Sequence, residues 1–461
     1  MKKISPAGIS LCTAICLCVT SISSWAADQA ASPPAQKRLV SPTVSVVTDR
    51  SSALYTCGDK AIFTVAVTSG GKLADAGICT VKLTEGAGTL IKEVKHDLAE
   101  KNPFTIEAGL DKPGFVRCVF LGATSYSDEL IARASAGFDV EKIRQGMPEP
   151  PDFNQYWAQL LKRQAAIPNP VTCEPLPDTV GKPGYKYFKL SVKTIDEGMV
   201  YAFLGVPASK PGPFPALVLI CGAGSGYDGP DTTFISPDLM TLAINIHPID
   251  PGLPQAEFQK RYKELIAQKD YWLQGAPDRD KYYFRNAILG ANAAVEWLVA
   301  NPQFNQKDLF YLGASQGGGF GLILEGLSQK FSTIAISVPA LCDHGGIAAG
   351  RASGWPQLAK SLAPNDEGLQ KQVLEMAGYY DAVNFAKRIK CPAIFTVGFN
   401  DSTCSPSSVY AAYNAVKSTK SIMTAPLADH AVPWAHLNGI WQWTQNSLDD
   451  KNRNYRAYFD W

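Results

Sequence analysis

Eight consecutive residues carry the strongest chemical signal in this chain: Leu312-Gly313-Ala314-Ser315-Gln316-Gly317-Gly318-Gly319. They put a serine in a Gly-x-Ser-x-Gly frame between an apolar run, 309–313, and a segment of helical character, 316–327. A sharp strand-to-helix turn of this kind strains the serine backbone and exposes its hydroxyl. Glycines on either side let strand and helix approach closely. The helix N-terminus and the Gln316 backbone N–H then face any oxyanion that forms at the serine. The structural alternative is a glycine-rich turn with an incidental serine.

A serine hydroxyl is a poor nucleophile without a base. The histidines are His96, His247, His344, His430 and His436. A serine on such a turn goes with the chain order serine, acid, histidine, which sets aside His96 and His247. His344 follows a predicted strand too closely. His430 lies after the last predicted strand and before a predicted helix over 434–447, where the base belongs. His436 falls inside that helix and reads as a core or solvent-facing residue. The acid is expected at the end of the strand over 393–399, at Asp401, which would orient His430 and stabilise its imidazolium. Capping the next turn is its structural alternative. Asp429 adjoins His430, but neighbouring side chains point apart, and Asp381 sits in a helical context. The second oxyanion donor is expected from the loop Gly222-Ala223-Gly224-Ser225-Gly226, with the Ala223 N–H as candidate; a plain flexible turn is the alternative there. This chemistry calls for no metal and no organic cofactor. No Cys-x-x-Cys pair suggests zinc or redox work either.

The elements that must position these residues alternate. Apolar strands are predicted over 187–192, 199–206, 216–221, 239–246, 309–313, 332–338 and 393–399, and helices over 283–300, 316–327 and 407–416. Such alternation implies a mostly parallel sheet covered on both faces. Asp152 is placed as an N-cap for a helix burying Phe153, Tyr156, Trp157 and Leu160. Before the Pro-rich stretch Met147-Pro148-Glu149-Pro150-Pro151 the pattern is different. Short strands such as 61–67, 79–83 and 115–120 are punctuated by turns, as in a small Ig-like β-sandwich. The expected organisation is a leader over 1–26, a linker over 27–42, a sandwich over 43–146 and a catalytic domain over 147–461.

The leader reading rests on Lys2 and Lys3, an apolar run over 9–22, and small residues around Ala26, the expected cleavage point, with Ala27 next. The apolar run is short for a membrane span. Export to the periplasm or beyond is therefore expected, with no membrane association after cleavage. The later cysteines are Cys57, Cys79, Cys118, Cys173, Cys221, Cys342, Cys391 and Cys404. Export allows a disulfide among Cys57, Cys79 and Cys118. With 43 basic and 42 acidic residues the net charge is +1. No Lys/Arg run points to nucleic acid.

Several separated motifs, in order, resemble the acetyl xylan esterase and cephalosporin-C deacetylase family, carbohydrate esterase family seven. They are Pro151-Asp152-Phe153-x-x-Tyr156-Trp157, Tyr282-Tyr283-Phe284-Arg285, Gly313-Ala314-Ser315-Gln316-Gly317-Gly318-Gly319, Tyr380-Asp381-x-x-Asn384-Phe385-Ala386, and Asp401-Ser402-Thr403-Cys404-Ser405-Pro406 with the helix after it. The resemblance runs from about Pro151 onward. It implies an α/β-hydrolase fold, a triad of Ser315, Asp401 and His430, and removal of acetyl groups from sugars. The partner it implies is an acetylated oligo- or polysaccharide; a homo-oligomer is compatible with it. Two departures stand out. Where the family carries Arg-Gly-Gln after the second core strand, the corresponding stretch here reads Asn245-Ile246-His247-Pro248-Ile249, and the Glu after the family's base is Ala431 here. Two other readings remain open at this level: a peptidase or hydrolase of another acyl ester on the same fold, and a carbohydrate-binding protein with a disabled esterase domain.

Overall fold

A computed structural model describes residues 42–86, 88–123 and 129–432. The expected leader, the linker up to residue 41, the helix over 434–447 and His436 lie outside the described residues.

The first nine strands are β1 (Thr43–Thr48), β2 (Leu54–Tyr55), β3 (Ala61–Ser69), β4 (Lys72–Leu73), β5 (Ile78–Glu85), β6 (Thr89–Asp97), β7 (Phe104–Ala108), β8 (Gly114–Ala123) and β9 (Glu129–Phe138). They form two sheets, β1-β3-β4 with β7 beside β3, and β2-β9-β8-β5-β6. Period-two alternation fills the space between them. Phe63, Val65 and Val67 of β3 meet Val81 and Leu83 of β5 and Val116, Cys118 and Phe120 of β8 in one core. The intervening residues of β8 face the other way, and Phe115 belongs to the core of the following residues. The five-stranded sheet is thus apolar on both sides at this point.

Cys57, Cys79 and Cys118 form no disulfide, against the expectation of one among them. Register explains the Cys79–Cys118 pair. Cys79 stands opposite Gly122, and Cys118 stands opposite Leu83. Four residues along a strand is roughly 13 Å, beyond the reach of a disulfide.

The remaining strands are β10 (Val171–Pro175), β11 (Tyr185–Lys193), β12 (Met199–Pro207), β13 (Phe214–Ile220), β14 (Met240–Asn245), β15 (Phe304–Ala314), β16 (Thr333–Ser337), β17 (Ala393–Gly398) and β18 (Lys420–Ala425). They make one nine-stranded sheet in the order β10-β11-β12-β14-β13-β15-β16-β17-β18. It is antiparallel at the β10 end and parallel from β14 to β18. The apolar runs reflect burial on both faces. In β13, Ala216, Val218 and Ile220 join the main core, while Leu217 and Leu219 join a second core on the opposite face.

The helices are α1 (Phe153–Ala165), α2 (Gln255–Ile266), α3 (Phe284–Ala300), α4 (Gln316–Ser328), α5 (Leu358–Leu362), α6 (Glu367–Ala377), α7 (Ala382–Ala386) and α8 (Pro406–Ala415). Helix α1 buries Phe153, Tyr156, Trp157 and Leu160 as its spacing predicts. Asp152 occupies the N-cap position but its side chain makes no capping bond. Its carboxylate accepts from Arg279, at 3.0 Å, and from the Tyr379 hydroxyl. An ion pair to a distant loop has displaced the local cap.

Candidate active site

Strand β15 ends at Ala314 and helix α4 begins at Gln316, so Ser315 alone makes the turn. Its backbone stands at φ 55°, ψ −119°, a conformation that costs of order 1–3 kcal/mol for a non-glycine residue. Neighbours hold it there. The Ser315 N–H donates to the Ser337 carbonyl at 2.9 Å, and the Ser315 carbonyl accepts from Ala340 at 2.8 Å. The glycines are required by contact. A Cβ on Gly317 would lie 1.9 Å from the Ile220 carbonyl oxygen, and one on Gly313 would lie 2.6 Å from the Gly317 backbone.

His430 sits five residues past β18, with its side chain one-third exposed. Its Nε2 is 3.0 Å from Ser315 Oγ and its Nδ1 is 2.8 Å from Asp401 Oδ2. With a carboxylate at Nδ1, the neutral ring carries its proton on Nδ1 and leaves Nε2 free to accept the serine proton. Asp401 is completely buried. Its Oδ1 accepts from the Thr403 and Cys404 backbone N–H groups at 2.8 and 2.9 Å. The loop that carries the acid therefore also aims it.

The other candidates fall elsewhere. Asp429 is exposed and accepts from its neighbour Ala431. Asp381 caps α7 and accepts from the backbone N–H groups of Asp343 and His344. His96 stacks on Phe104 and bonds the Lys101 carbonyl. His344 is buried.

Gln316 opens α4, so its N–H lies at the positive end of that helix. The loop carrying Ala223 reaches the serine, since a Cβ on Gly222 would lie 3.8 Å from Ser315 Cβ. That loop is pinned from below by the residues standing where the family motif departs. Asn245 exchanges hydrogen bonds with the Tyr227 backbone at 2.5 and 2.7 Å. His247 lies 2.7 Å from both the Gly224 carbonyl and the Tyr283 hydroxyl. Facing a carbonyl, Nε2 must donate, so Nδ1 accepts from Tyr283. Burial pushes the His247 pKa down to about 4, so the ring is neutral. Sequence reasoning missed this role, although the departure over 245–249 marked the place.

Asp401, Cys404 and His430 offer ligand atoms within 4.8 Å of one another. Their chemistry suits a cation poorly. Burial, with the Asp401 charge adding to it, pushes the Cys404 thiol well above its usual range, and metals bind the thiolate. The Asp401 oxygens and both His430 nitrogens already have partners.

A parallel sheet with a serine on a strand-to-helix turn is the frame of an α/β-hydrolase, and solved structures bear the fold out. An acetyl xylan esterase from Paenibacillus sp. R4 matches with a TM-score of 0.56 at 21% identity, covering 66% of this chain and 98% of its own. Acetyl xylan esterase 1 from Thermoanaerobacterium sp. JW/SL YS485 matches with a TM-score of 0.56 at 22% identity, covering 67% of this chain and 97% of its own. In sequence, the chain is 28% identical over 329 residues to the acetyl esterase Axe7A of Xylanibacter ruminicola, across 70% of this chain and 72% of that one. The acetyl xylan esterase (AXE1) family model matches residues 138–447. The chain belongs to that family, and it is a carboxylic ester hydrolase of the acetyl esterase kind.

Proposed function

We propose that this protein is an exported serine esterase that removes acetyl groups from carbohydrates, with Ser315 as nucleophile, His430 as base and Asp401 as the acid that orients it. The observation that carries the reading is the hydrogen-bonded chain from Ser315 Oγ through His430 to Asp401, at 3.0 and 2.8 Å. In the first half-reaction Ser315 Oγ attacks the acetyl carbonyl carbon while His430 Nε2 takes the serine proton. The backbone N–H groups of Gln316 and Ala223 receive the oxyanion. Collapse breaks the ester bond; His430 gives its proton to the sugar oxygen, and an acetyl-enzyme remains. Water then attacks with its proton taken by His430, releasing acetate and restoring the serine. The names of the relatives support acetylated xylan-type glycans as substrate. Among the described residues no helix is long and apolar enough to cross a membrane. The Lys2-Lys3 start with its apolar run supports export.

Two measurements test this. Acetate release from a panel of acetylated glycans, compared with butyryl and octanoyl esters of one chromogenic alcohol, is expected to favour acetyl. Efficiency that rises with chain length would make the enzyme lipase-like. Ser315→Ala is expected to leave a folded protein with turnover lowered by several orders of magnitude, ~10⁶-fold in the best-studied triad. Near-normal hydrolysis by that variant would end the proposal.

A further inference from the structure

We infer that the strand-rich N-terminal region belongs to the catalytic apparatus, with Arg117 and Ser135 acting as positioning residues that hold the Asp401 loop in reach of His430. This rests on the reading of Asp401 as the triad acid.

Arg117 on β8 and Ser135 on β9 are direct cross-strand partners. They lie on the face opposite Val116, Cys118 and Phe120, which fill the sandwich core. Both reach the acid loop. Arg117 Nη2 donates to the Asp401 carbonyl at 3.0 Å, and Ser135 Oγ donates to Asn400 Oδ1 at 2.8 Å. Asn400 is the hub. Its amide nitrogen contacts the Arg133 carbonyl of β9 at 3.3 Å and the Leu427 carbonyl, in the segment leading to His430, at 3.2 Å. Its backbone N–H donates to Ala428 at 2.9 Å. One residue thus ties the sandwich, the acid loop and the histidine segment together. Phe115, on the same face of β8, packs edge-on against Phe399 with ring centroids 5.2 Å apart.

The need for an outside anchor follows from the loop itself. The Thr403 and Cys404 N–H groups aim the carboxylate, but they move with the loop. They fix the acid within it and leave open where the loop stands relative to the serine. Arg117 and Ser135 come from outside the loop, on the paired strands β8 and β9, and Ser135, Asn400 and Asp401 are each 1% exposed or less. Burial and the neighbouring Arg133 charge lower the Arg117 pKa, and the Asp401 charge opposes them.

The test is a double-mutant cycle on the full chain, read as kcat and KM on a small chromogenic acetyl ester. Arg117→Ala is expected to lower kcat ~10–100-fold, the scale of an ångström-sized misplacement, with KM held within about twofold. Arg117→Lys is expected to recover part of the loss. Combined with Asp401→Asn, Arg117→Ala is expected to cost nothing further, because groups that act as one unit are not additive. Unchanged kcat in Arg117→Ala, or a loss that multiplies in the Asp401→Asn background, would overturn the inference. Wild-type turnover in Asp401→Asn alone would instead remove the acid assignment on which it rests. Should Arg117→Ala fail to fold, Ser135→Ala, which deletes one hydroxyl, runs the same cycle with the same criteria.

Discussion

Asp401 and Asp429 lie on either side of the His430 question, and the two carboxylates differ in everything but charge. Asp401 is fully buried with His430 at 2.8 Å, whereas Asp429 is exposed and bonds only its own turn among the described residues. Asp401→Asn puts an amide where Nδ1–H needs an acceptor and favours the wrong tautomer. Turnover is expected to fall by up to ~10⁴-fold, while Asp429→Asn stays within a few-fold. Kinetics that reverse this order would move the acid. His247 offers a second test at this scale. In the folded protein its ring resists protonation down to about 4, while in the unfolded chain it takes a proton near ~6.5. Acidification therefore loads protons onto the unfolded chain first. The stability that His247 contributes is complete above the unfolded pKa and is lost as the pH falls toward 4. His247→Gln cannot titrate. The gap in unfolding free energy between wild type and variant is expected to narrow by about 2 kcal/mol between pH 7.5 and pH 5. Denaturant titrations at the two pH values measure it, and a constant gap would mean that folding leaves the His247 pKa unchanged.

The strand β15–α4 elbow works because backbone touches backbone. At Gly317 an added methyl would lie 1.9 Å from the Ile220 carbonyl oxygen of β13, an atom that a side-chain rotation cannot move away. Gly317→Ala is expected to cost about 3 kcal/mol or more, and to disturb the serine before it unfolds the sheet. Gly368 in α6 is the contrast. Its nearest obstacle is a side-chain oxygen of Asp366 at 3.4 Å, and the position is exposed. Gly368→Ala is expected to be neutral or to gain up to ~1 kcal/mol from helix propensity. Thermal melts of the two variants separate a contact requirement from a propensity effect. Elements also account for what sequence patterning missed. β18 carries Lys420, Ser421 and Thr424 among its six residues and has one buried position, so it lacks the continuous apolar run that marks its neighbours. α2 buries only Phe258.

At the scale of the whole molecule, the strand-rich region and the hydrolase sheet share a junction. Beside it lies a cavity of about 440 Å³ walled by Phe115, Arg117 and Ser135 on one side and Lys360, Asp401 and Ser402 on the other. A chain beginning at Pro148 would expose Phe399 and Tyr410, which pack on Phe115, and would leave Asn400 without its β9 partners. Such a chain is expected to turn over a small acetyl ester at least ~10-fold more slowly than the full chain. Full activity in the truncated protein would make the sandwich a bystander to the chemistry.

The sequence by itself determined the local geometry. A glycine-flanked serine between an apolar strand and a helix marked the strand-to-helix turn that Ser315 makes. With few histidines in the chain, the chain order picks out His430, and a carboxylate at the end of an apolar strand picks out Asp401. Period-two patterning separated the strand-only residues from the alternating ones. Tertiary structure decided everything that depends on register or on distant partners. Register kept Cys79 and Cys118 apart, because pairing offsets are set by the whole sheet. Asp152 lost its cap to Arg279, more than a hundred residues away. His247 became the prop of the Ala223 loop because β14 ends beneath it. Arg117 and Ser135 reached the acid loop because the outer face of β8 and β9 docks there. Alternation tells which face a residue occupies; what that face meets is set only when the two sheets pack.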